Sequence, residues 1–235
     1  MAGPVLEVVV SGPGDVAGAR DGGADRLLVV SANGSGERTP DAGVVRELRS
    51  ATDLPLRVLL RGGDDYATSG SELTRLQGAA RTMVTAGADG FAFGFLAPNL
   101  DLDVDAVLEL ATELDGLPWT LHEVVDHALD HERAWRRARG LPGLDTVLTA
   151  GSPRGLDAGL DAVCARAAAD PLVAELVMAG RGLTPEHVPW LARAGVRKYH
   201  LGADARPGRS PRAYVDAALV RSWRTLVDDA AAAAL

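Results

Sequence analysis

The feature that most constrains the fold of this chain is a regular alternation between short apolar runs and longer amphipathic runs. The alternation continues along most of the 235 residues. Such a pattern is typical of βαβ units on a parallel sheet. Eight of the short runs are predicted to be strands: Leu6–Val10, Arg26–Val30, Leu56–Arg61, Gly90–Phe95, Trp119–Glu123, Thr146–Ala150, Glu175–Ala179 and Lys198–Gly202.

A repeated junction between helix and strand supports this count. Gly22–Asp25, Ala86–Asp89 and Ala194–Arg197 each close a helical pattern and open an apolar run, and Leu141–Asp145 is a looser copy. Glycine at such a junction supplies the left-handed residue that stops a helix. The helices are predicted at Ala42–Ser50, Glu72–Ala86, Val104–Leu114, His131–Arg139, Leu156–Ala168, Pro185–Arg193 and Tyr214–Ala231.

Two architectures share this alternation, the open doubly wound sheet and the closed barrel. Eight strands within 235 residues, with no G-x-G-x-x-G after the first strand, favour the barrel. We therefore predict an α/β fold with one domain over residues 1–235, a single (β/α)8 TIM barrel. In such barrels the working groups lie at the C-terminal ends of the strands.

The composition limits which binding partners and which cellular location we expect for this chain. The formal charge is 24 − 32 = −8, and a net negative protein repels nucleic-acid phosphates, so no nucleic-acid partner is expected. The single cysteine, Cys164, cannot form an internal disulfide and is predicted to be a small buried helix residue. Neither a leader pattern nor an apolar run near membrane-spanning length is present, so we expect no membrane association and a cytoplasmic location.

The end of the third predicted strand carries a candidate anion site. Arg61 supplies a fork of donors, and the backbone of Gly62 and Gly63 can approach an anion closely. An equally good interpretation is a tight turn whose arginine pairs with Asp64 or Asp65.

The fifth predicted strand ends among titratable residues. His122 is a candidate acid, base or metal ligand, and Asp126 a second candidate catalytic group. Because strand residues alternate in direction, we expect only one of His122 and Glu123 to face the barrel mouth. His127 and His131 lie one helical turn apart, which is a weak signal for metal ligation together with His122.

Glycine-rich turns follow the sixth and seventh predicted strands. Gly151, Gly180 and Gly182 are candidate anion contacts, since many barrels hold phosphate after strand seven. The alternative needs no ligand: a helix capped by Thr184, with Pro185 at its first position, requires a flexible entry.

Charged residues also alternate with apolar ones on the first and eighth predicted strands. Glu7, Lys198 and His200 are expected to face the barrel interior, where a lone charge would be costly. Mutual neutralisation and catalysis both account for them.

At these residues the chain resembles the CutC family, named for copper homeostasis, along nearly its whole length. One resembling segment would carry little weight, but several in the same order favour membership. The segments that carry the resemblance are Leu6–Ser11, Gly23–Arg26, Arg38–Pro40, Arg61–Asp64, Leu121–His122 with Asp126, Val147–Gly151, Met178–Gly182 and Lys198–His200.

The resemblance implies copper as the metal, a homodimer, and a polar mouth containing Glu7, Arg61, His122, Asp126 and His200. Weak candidate metal ligands are His122, Glu123 and His200. The chain departs from the family pattern where Leu28 replaces a glutamate, Val30 a cysteine and Glu123 an arginine. Copper(I) prefers thiolate and thioether ligands, which this mouth lacks.

Three functions follow as hypotheses. The first is a CutC-like protein of copper homeostasis. The second is an enzyme that acts on a small anionic metabolite, phosphorylated or not, at the barrel mouth. The third is a non-catalytic barrel that binds its partners as an oligomer.

Overall fold

Eight parallel strands close into a barrel in chain order in the computed structural model, which describes residues 3–31, 37–63 and 65–234. This confirms the predicted (β/α)8 barrel. The strands are β1 (Val5–Val10), β2 (Arg26–Val29), β3 (Leu56–Leu59), β4 (Gly90–Phe93), β5 (Trp119–His122), β6 (Leu144–Thr149), β7 (Val177–Ala179) and β8 (Lys198–Leu201). The barrel closes because β1 pairs with both β2 and β8.

Helices follow the strands and cover the outside of the barrel. In the described part of the chain they are α1 (Val16–Gly22), α2 (Ala42–Ala51), α3 (Gly70–Ala86), α4 (Val104–Ala111), α5 (His131–Ala138), α6 (Leu156–Ala169), α7 (Pro171–Leu176), α8 (Val188–Arg193) and α9 (Ala217–Ala233). None of these helices is long and apolar enough to cross a lipid bilayer.

The repeated junctions act as predicted. Gly23, Gly87 and Gly195 follow α1, α3 and the α8 segment with φ angles of 94°, 102° and 95°. These values lie in the left-handed region that glycine adopts without steric cost. The looser copy has the same feature, since Gly143 has a φ of 74°.

Several predicted boundaries are shifted; the last helix, for example, begins at Ala217 and not at Tyr214, and two of the shifts have a clear cause. The seventh strand does not begin at Glu175, because Asp170 caps a short helix, α7, that runs to Leu176. Proline at the first position of α7 favours this helix. The eighth helix begins at Val188 rather than at Pro185, and the Thr184 backbone N–H donates to His187 Nδ1 instead of Thr184 capping the helix.

Strand alternation divides the apolar residues into two layers. Outward residues such as Leu27, Val58 and Phe91 pack in the large core between strands and helices. Residues that point into the barrel form a separate small cluster, which we call the interior apolar cluster: Val9, Leu28, Val30, Leu59 and Ala92.

A charge network occupies the end of the interior where the strands begin. Arg57 is buried, donates to Thr120 Oγ1 at 2.6 Å and pairs with Asp145. Lys198 Nζ donates to the Asp145 carbonyl oxygen at 2.6 Å. Lys198 therefore has its own partner and does not neutralise Glu7, which was one of the two interpretations of its inward position.

Candidate functional site

A cavity of about 640 Å³ opens at the C-terminal mouth of the barrel. The loops after β2, β3, β4, β5 and β7 all contribute to it, as expected for a barrel in which working groups follow the strands. We call it the mouth cavity, and its described lining is Glu37, Arg38, Arg61, Asp65, Tyr66, Ala67, Leu96, Ala97, Pro98, Leu100, Glu123, His127 and Arg181.

A carboxylate–imidazole pair lies inside the barrel. Glu7 Oε1 is 2.8 Å from His200 Nδ1, and Arg26 Nε donates to Glu7 Oε2 at 2.6 Å. Burial alone would lower the pKa of His200, but the hydrogen bond to Glu7 and the charge of Glu7 raise it above the usual 6.5. Burial would raise the pKa of Glu7, yet Arg26 and His200 hold it well below its usual range. The geometry favours a charged His200.

His122 lies beside this pair with the opposite preference. Its ring centroid is 6.4 Å from that of His200, and the two rings are nearly perpendicular. Burial lowers the pKa of His122, so its neutral form is favoured. Its Nε2 atom is buried and has no hydrogen-bond partner among the described residues. His122 also lines a small pocket beside the mouth cavity, and the two linings share Arg61 and Tyr66.

Backbone strain is concentrated around the mouth cavity. In the described chain five non-glycine residues have positive φ, and three of them, Leu100, Glu123 and Arg181, line this cavity. The left-handed region is costly for residues with a side chain, and such residues cluster at working sites.

The left-handed conformation decides which of His122 and Glu123 reaches the mouth cavity. We expected only one of them to face the mouth, and Glu123 is the one in the described lining of the mouth cavity. His122 ends β5 and points into the barrel, where it lines a small separate pocket, and the φ of 58° at Glu123 breaks the strand alternation at the next residue.

A cluster of polar side chains surrounds Tyr66. The Tyr66 hydroxyl donates to Glu123 Oε2 at 3.2 Å. The Arg61 guanidinium lies 4.7 Å from the centre of the Tyr66 ring, and the His127 ring lies at the same separation. Arg181 is 2.8 Å from His127 Nε2 and 3.5 Å from Glu123. Burial, followed by the charge of Arg181, lowers the pKa of His127, so His127 accepts this hydrogen bond as a neutral ring.

The predicted anion loop after β3 is only partly at the cavity. Arg61 lines the cavity and donates from Nε to the Gly63 carbonyl oxygen at 3.2 Å. The suggested partner Asp64 lies outside the described residues, while Asp65 lies in the lining. Gly62 and Gly63 are absent from the described lining of the mouth cavity and line the small pocket beside it.

Asp126 lies away from the described lining of the mouth cavity and joins two loops. Its carboxylate accepts from Thr149 Oγ1 at 2.5 Å and from the backbone N–H groups of Ala150 and Gly151 at 2.7 and 3.1 Å. Burial raises the pKa of Asp126 despite these bonds. A Cβ atom on Gly151 would lie 2.4 Å from the Gly159 carbonyl oxygen, so α6 packs directly on this turn. These contacts support a structural role for both residues.

The two glycines predicted as anion contacts after β7 flank the residue that lines the cavity. A Cβ atom on Gly180 would stand 2.8 Å from Leu148 Cδ1 and 3.0 Å from His200 Cβ, so this glycine leaves room for His200. Gly182 has a φ of 85°. Arg181, between them, points its side chain to the cavity.

Comparison with known proteins decides the family. The model of the CutC family matches residues 5–205. The chain belongs to the CutC family. The human copper homeostasis protein cutC homolog is 28% identical over 212 residues, which cover 86% of this chain and 74% of that protein. A family protein CutC from Klebsiella pneumoniae (strain 342) is 28% identical over 182 residues, 77% of this chain and 72% of that protein.

Solved structures agree on the fold. A CutC protein from Streptococcus agalactiae superposes with a TM-score of 0.74 at 21% identity, covering 85% of this chain and 98% of that one. At this level of identity the likeness concerns the barrel alone.

Copper, which the CutC name implies, does not fit the side chains present. Within residues 3–31, 37–63 and 65–234 no group of three or more His, Cys, Asp or Glu is arranged to hold a metal ion. The candidate ligands His122, Glu123 and His200 are thus neighbours without forming such a group. Cys164 lies half-buried on α6, and Met178 Sδ is 3.8 Å from Arg26 Nη2. The described mouth lining offers no soft ligand for copper(I).

Sequence reasoning missed several residues of this site. Tyr66, Arg181 and Leu100 were not singled out, although Arg181 lies inside the glycine-rich loop that was. A signal for Arg181 was available, since an arginine between two glycines at the end of a barrel strand combines a fork of charged donors with a backbone that can adopt unusual conformations. Tyr66 and Leu100 are defined by loop geometry that no local pattern encodes.

Proposed function

We propose that this CutC-family barrel is an enzyme that binds a small organic anion at the mouth cavity and transfers protons through His122 and His200. The observation that carries the proposal is a pair of neighbouring buried histidines, of which His200 is held by the Glu7 carboxylate while His122 has an unpartnered Nε2 among the described residues. Titratable groups whose environments push their pKa values apart are typical of acid–base pairs. In this assignment His200, held by Glu7, is the acid, and His122 is the base.

The unpartnered nitrogen of His122 supports the role of base. Buried polar atoms almost always have hydrogen-bond partners, and exceptions call for an explanation. A neutral imidazole whose Nε2 lacks a partner among the described residues is suited to accept a proton from a ligand that extends from the mouth cavity into the small pocket that His122 lines.

The cationic side chains of the rim support an anionic ligand. Arg38, Arg61 and Arg181 line the same cavity as the carboxylates of Glu37, Asp65 and Glu123. Arginine forms forked hydrogen bonds with carboxylates and phosphates, so an anionic ligand would compete with these carboxylates for the three guanidinium groups. The strain at Glu123 and Arg181 fits a site that is held in place for a ligand.

Isotope exchange tests this function. The protein is incubated in D2O with a panel of small organic acids and phosphate esters, and NMR records deuterium incorporation or product formation. We expect the wild type to alter at least one compound and His122→Asn and His200→Asn to reduce the rate by about 10²- to 10⁴-fold. Cys164→Ser is the control and should retain the rate. If the wild type binds compounds but alters none, the chain is a non-catalytic binding protein instead.

We propose further that any role in copper homeostasis, the role named for the relatives, is exerted through this small-molecule chemistry and not through copper ligation. The donor set at the mouth supports this. Anaerobic titration of the purified protein with copper(I), then with copper(II) and zinc(II), provides the test. We expect no stoichiometric binding tighter than about micromolar. Tight binding that is lost in His122→Asn would contradict the proposal.

A further inference from the structure

The mouth cavity has two unlike walls. Charged and polar side chains contribute one part of the lining, whereas the loop after β4 contributes a continuous apolar part. This apolar wall consists of Leu96, Ala97, Pro98 and Leu100, with Ala67 beside it. An inorganic anion would use only the charged part.

Leu100 combines two unfavourable features at one position. Its φ is 59° and its side chain is 48% exposed. A leucine in the left-handed region is strained, and burial does not compensate for the strain here. Because such strain persists where the surrounding structure enforces it for a function, Leu100 is a candidate ligand contact.

Backbone hydrogen bonds hold this loop in place. The Leu100 N–H donates to the Ala97 carbonyl oxygen at 2.8 Å, and the Leu129 N–H donates to the Leu100 carbonyl oxygen at 2.9 Å. Leu96 N–H donates to the Tyr66 carbonyl oxygen at 2.8 Å. The apolar wall is therefore fixed relative to Tyr66 and to the charged cluster around it, before any ligand arrives.

The size of the cavity fits a ligand with a hydrocarbon part. A volume of about 640 Å³ lies within the range of cavities that hold organic ligands of many atoms. Arg181, whose side chain is 38% exposed, lines the same cavity as the apolar wall, so one ligand can contact both.

We propose that the mouth cavity selects amphipathic organic anions, with a carboxylate or phosphate on the arginine side and a hydrocarbon part of several carbons against Leu96, Pro98 and Leu100. This inference rests on the proposed function for the anion and adds the substrate class. The carboxylate and the phosphate share the same recognition chemistry, and the experiment distinguishes them.

Calorimetric titration with two homologous series tests the inference. The probes are inorganic phosphate with ethyl, butyl and hexyl phosphate, and acetate with butanoate and hexanoate. In the preferred series we expect the wild-type Kd to fall by about fourfold for each methylene that contacts the wall. Hexylammonium, which has the same chain and the opposite charge, should bind far more weakly than the preferred hexyl anion.

Leu100→Gly removes the side chain at a backbone conformation that glycine favours. We expect this variant to remain folded with an unchanged or higher Tm, to bind the shortest anion as the wild type does, and to lose most of the gain with chain length. The matched control is Asp115→Gly, which relieves a φ of 53° away from the mouth and should leave the series unchanged.

The outcomes separate the two proposals. The proposed selection of amphipathic anions is excluded if the wild-type Kd does not depend on chain length, or if Leu100→Gly keeps the full dependence. In either case the proposed anion site would still be supported. If neither series binds the wild type at all, both proposals are overturned.

Discussion

Two groups of side chains in the barrel interior are unlike, the interior apolar cluster and the histidine pair with Glu7. The apolar cluster comes from β1 to β4 and the residue after β2, and its members are at most 5% exposed. The histidine pair comes from β5 and β8, and it is equally buried. The apolar cluster consists only of hydrocarbon side chains, whereas the histidine pair with Glu7 consists of titratable side chains and includes His122 Nε2, which has no partner among the described residues.

The difference separates residues that stabilise the barrel from residues that transfer protons in the function proposed above. Buried hydrocarbon contributes directly to the free energy of folding. Buried titratable groups contribute only where they are paired, and unpaired ones are a cost that function can explain. Leu28 and Val30, where the family resemblance expects a glutamate and a cysteine, belong to the apolar cluster. On that side this chain has packing in place of reactive groups.

The largest expected effect comes from removing the carboxylate of Glu7, which pairs with His200 and Arg26. Glu7→Ala leaves Arg26 and His200 buried without their carboxylate, which should lower the free energy of unfolding by about 3–5 kcal/mol. Urea denaturation measures this. Glu132→Ala is the control, because Glu132 is 68% exposed and its pair with Arg166 should contribute about 1 kcal/mol at most. Equal losses in the two variants would contradict the account.

The second-largest expected effect tests whether the interior apolar cluster stabilises the barrel. Leu28→Ala opens a cavity in a packed interior and should cost about 2–5 kcal/mol in the free energy of unfolding. Leu28→Met keeps the volume and should cost less than about 1.5 kcal/mol. Both variants should bind the preferred hexyl anion as the wild type does, when measured on the folded fraction by calorimetry. Loss of that binding in Leu28→Met would show that the cluster belongs to the site.

The sequence predicted the barrel but only part of the site, and the reason is physical. Strand and helix periods repeat along the chain, so the eight strands and their junction glycines are encoded locally. His122 and His200 could be predicted because inward positions follow from alternation. The cluster around Tyr66 could not, because it depends on left-handed residues such as Glu123 that break the alternation. Asp126 and Gly151 lie just after strands and have residue types that are typical of binding sites, so the sequence pattern predicted them as site residues. In the structure their contacts join the loops after β5 and β6 to each other.

The pH dependence of stability provides a smaller and more specific test. His200 has a raised pKa, so its contribution is present below pH 6.5 and is lost as the pH rises through its folded pKa. His122 has a lowered pKa, so stability falls as the pH drops from 6.5 through its folded pKa, where only the unfolded chain takes up that proton. Urea unfolding across this range measures both effects. We expect His200→Asn to abolish the loss of stability at high pH and His122→Asn to abolish the loss at low pH. The opposite result would contradict the assignment of the two histidines.

The smallest effect on stability should come from His122 itself. Because His122→Asn removes a buried nitrogen that has no partner in the described chain, the free energy of unfolding should change by about 1 kcal/mol or less. Proton-transfer activity should nevertheless fall steeply. A large loss of stability in this variant, measured by urea denaturation, would place His122 with the structural residues.

The opposed protonation of the two histidines is the central claim, and NMR titration of the imidazole rings tests it most directly. His122→Asn and His200→Asn assign the two signals in the folded protein. We predict that His200 titrates above pH 6.5 and His122 below it. Replacement of Glu7 by glutamine should lower the pKa of His200, because the carboxylate charge is removed. Two histidines that titrate together, or in the reverse order, would contradict the assignment of acid and base.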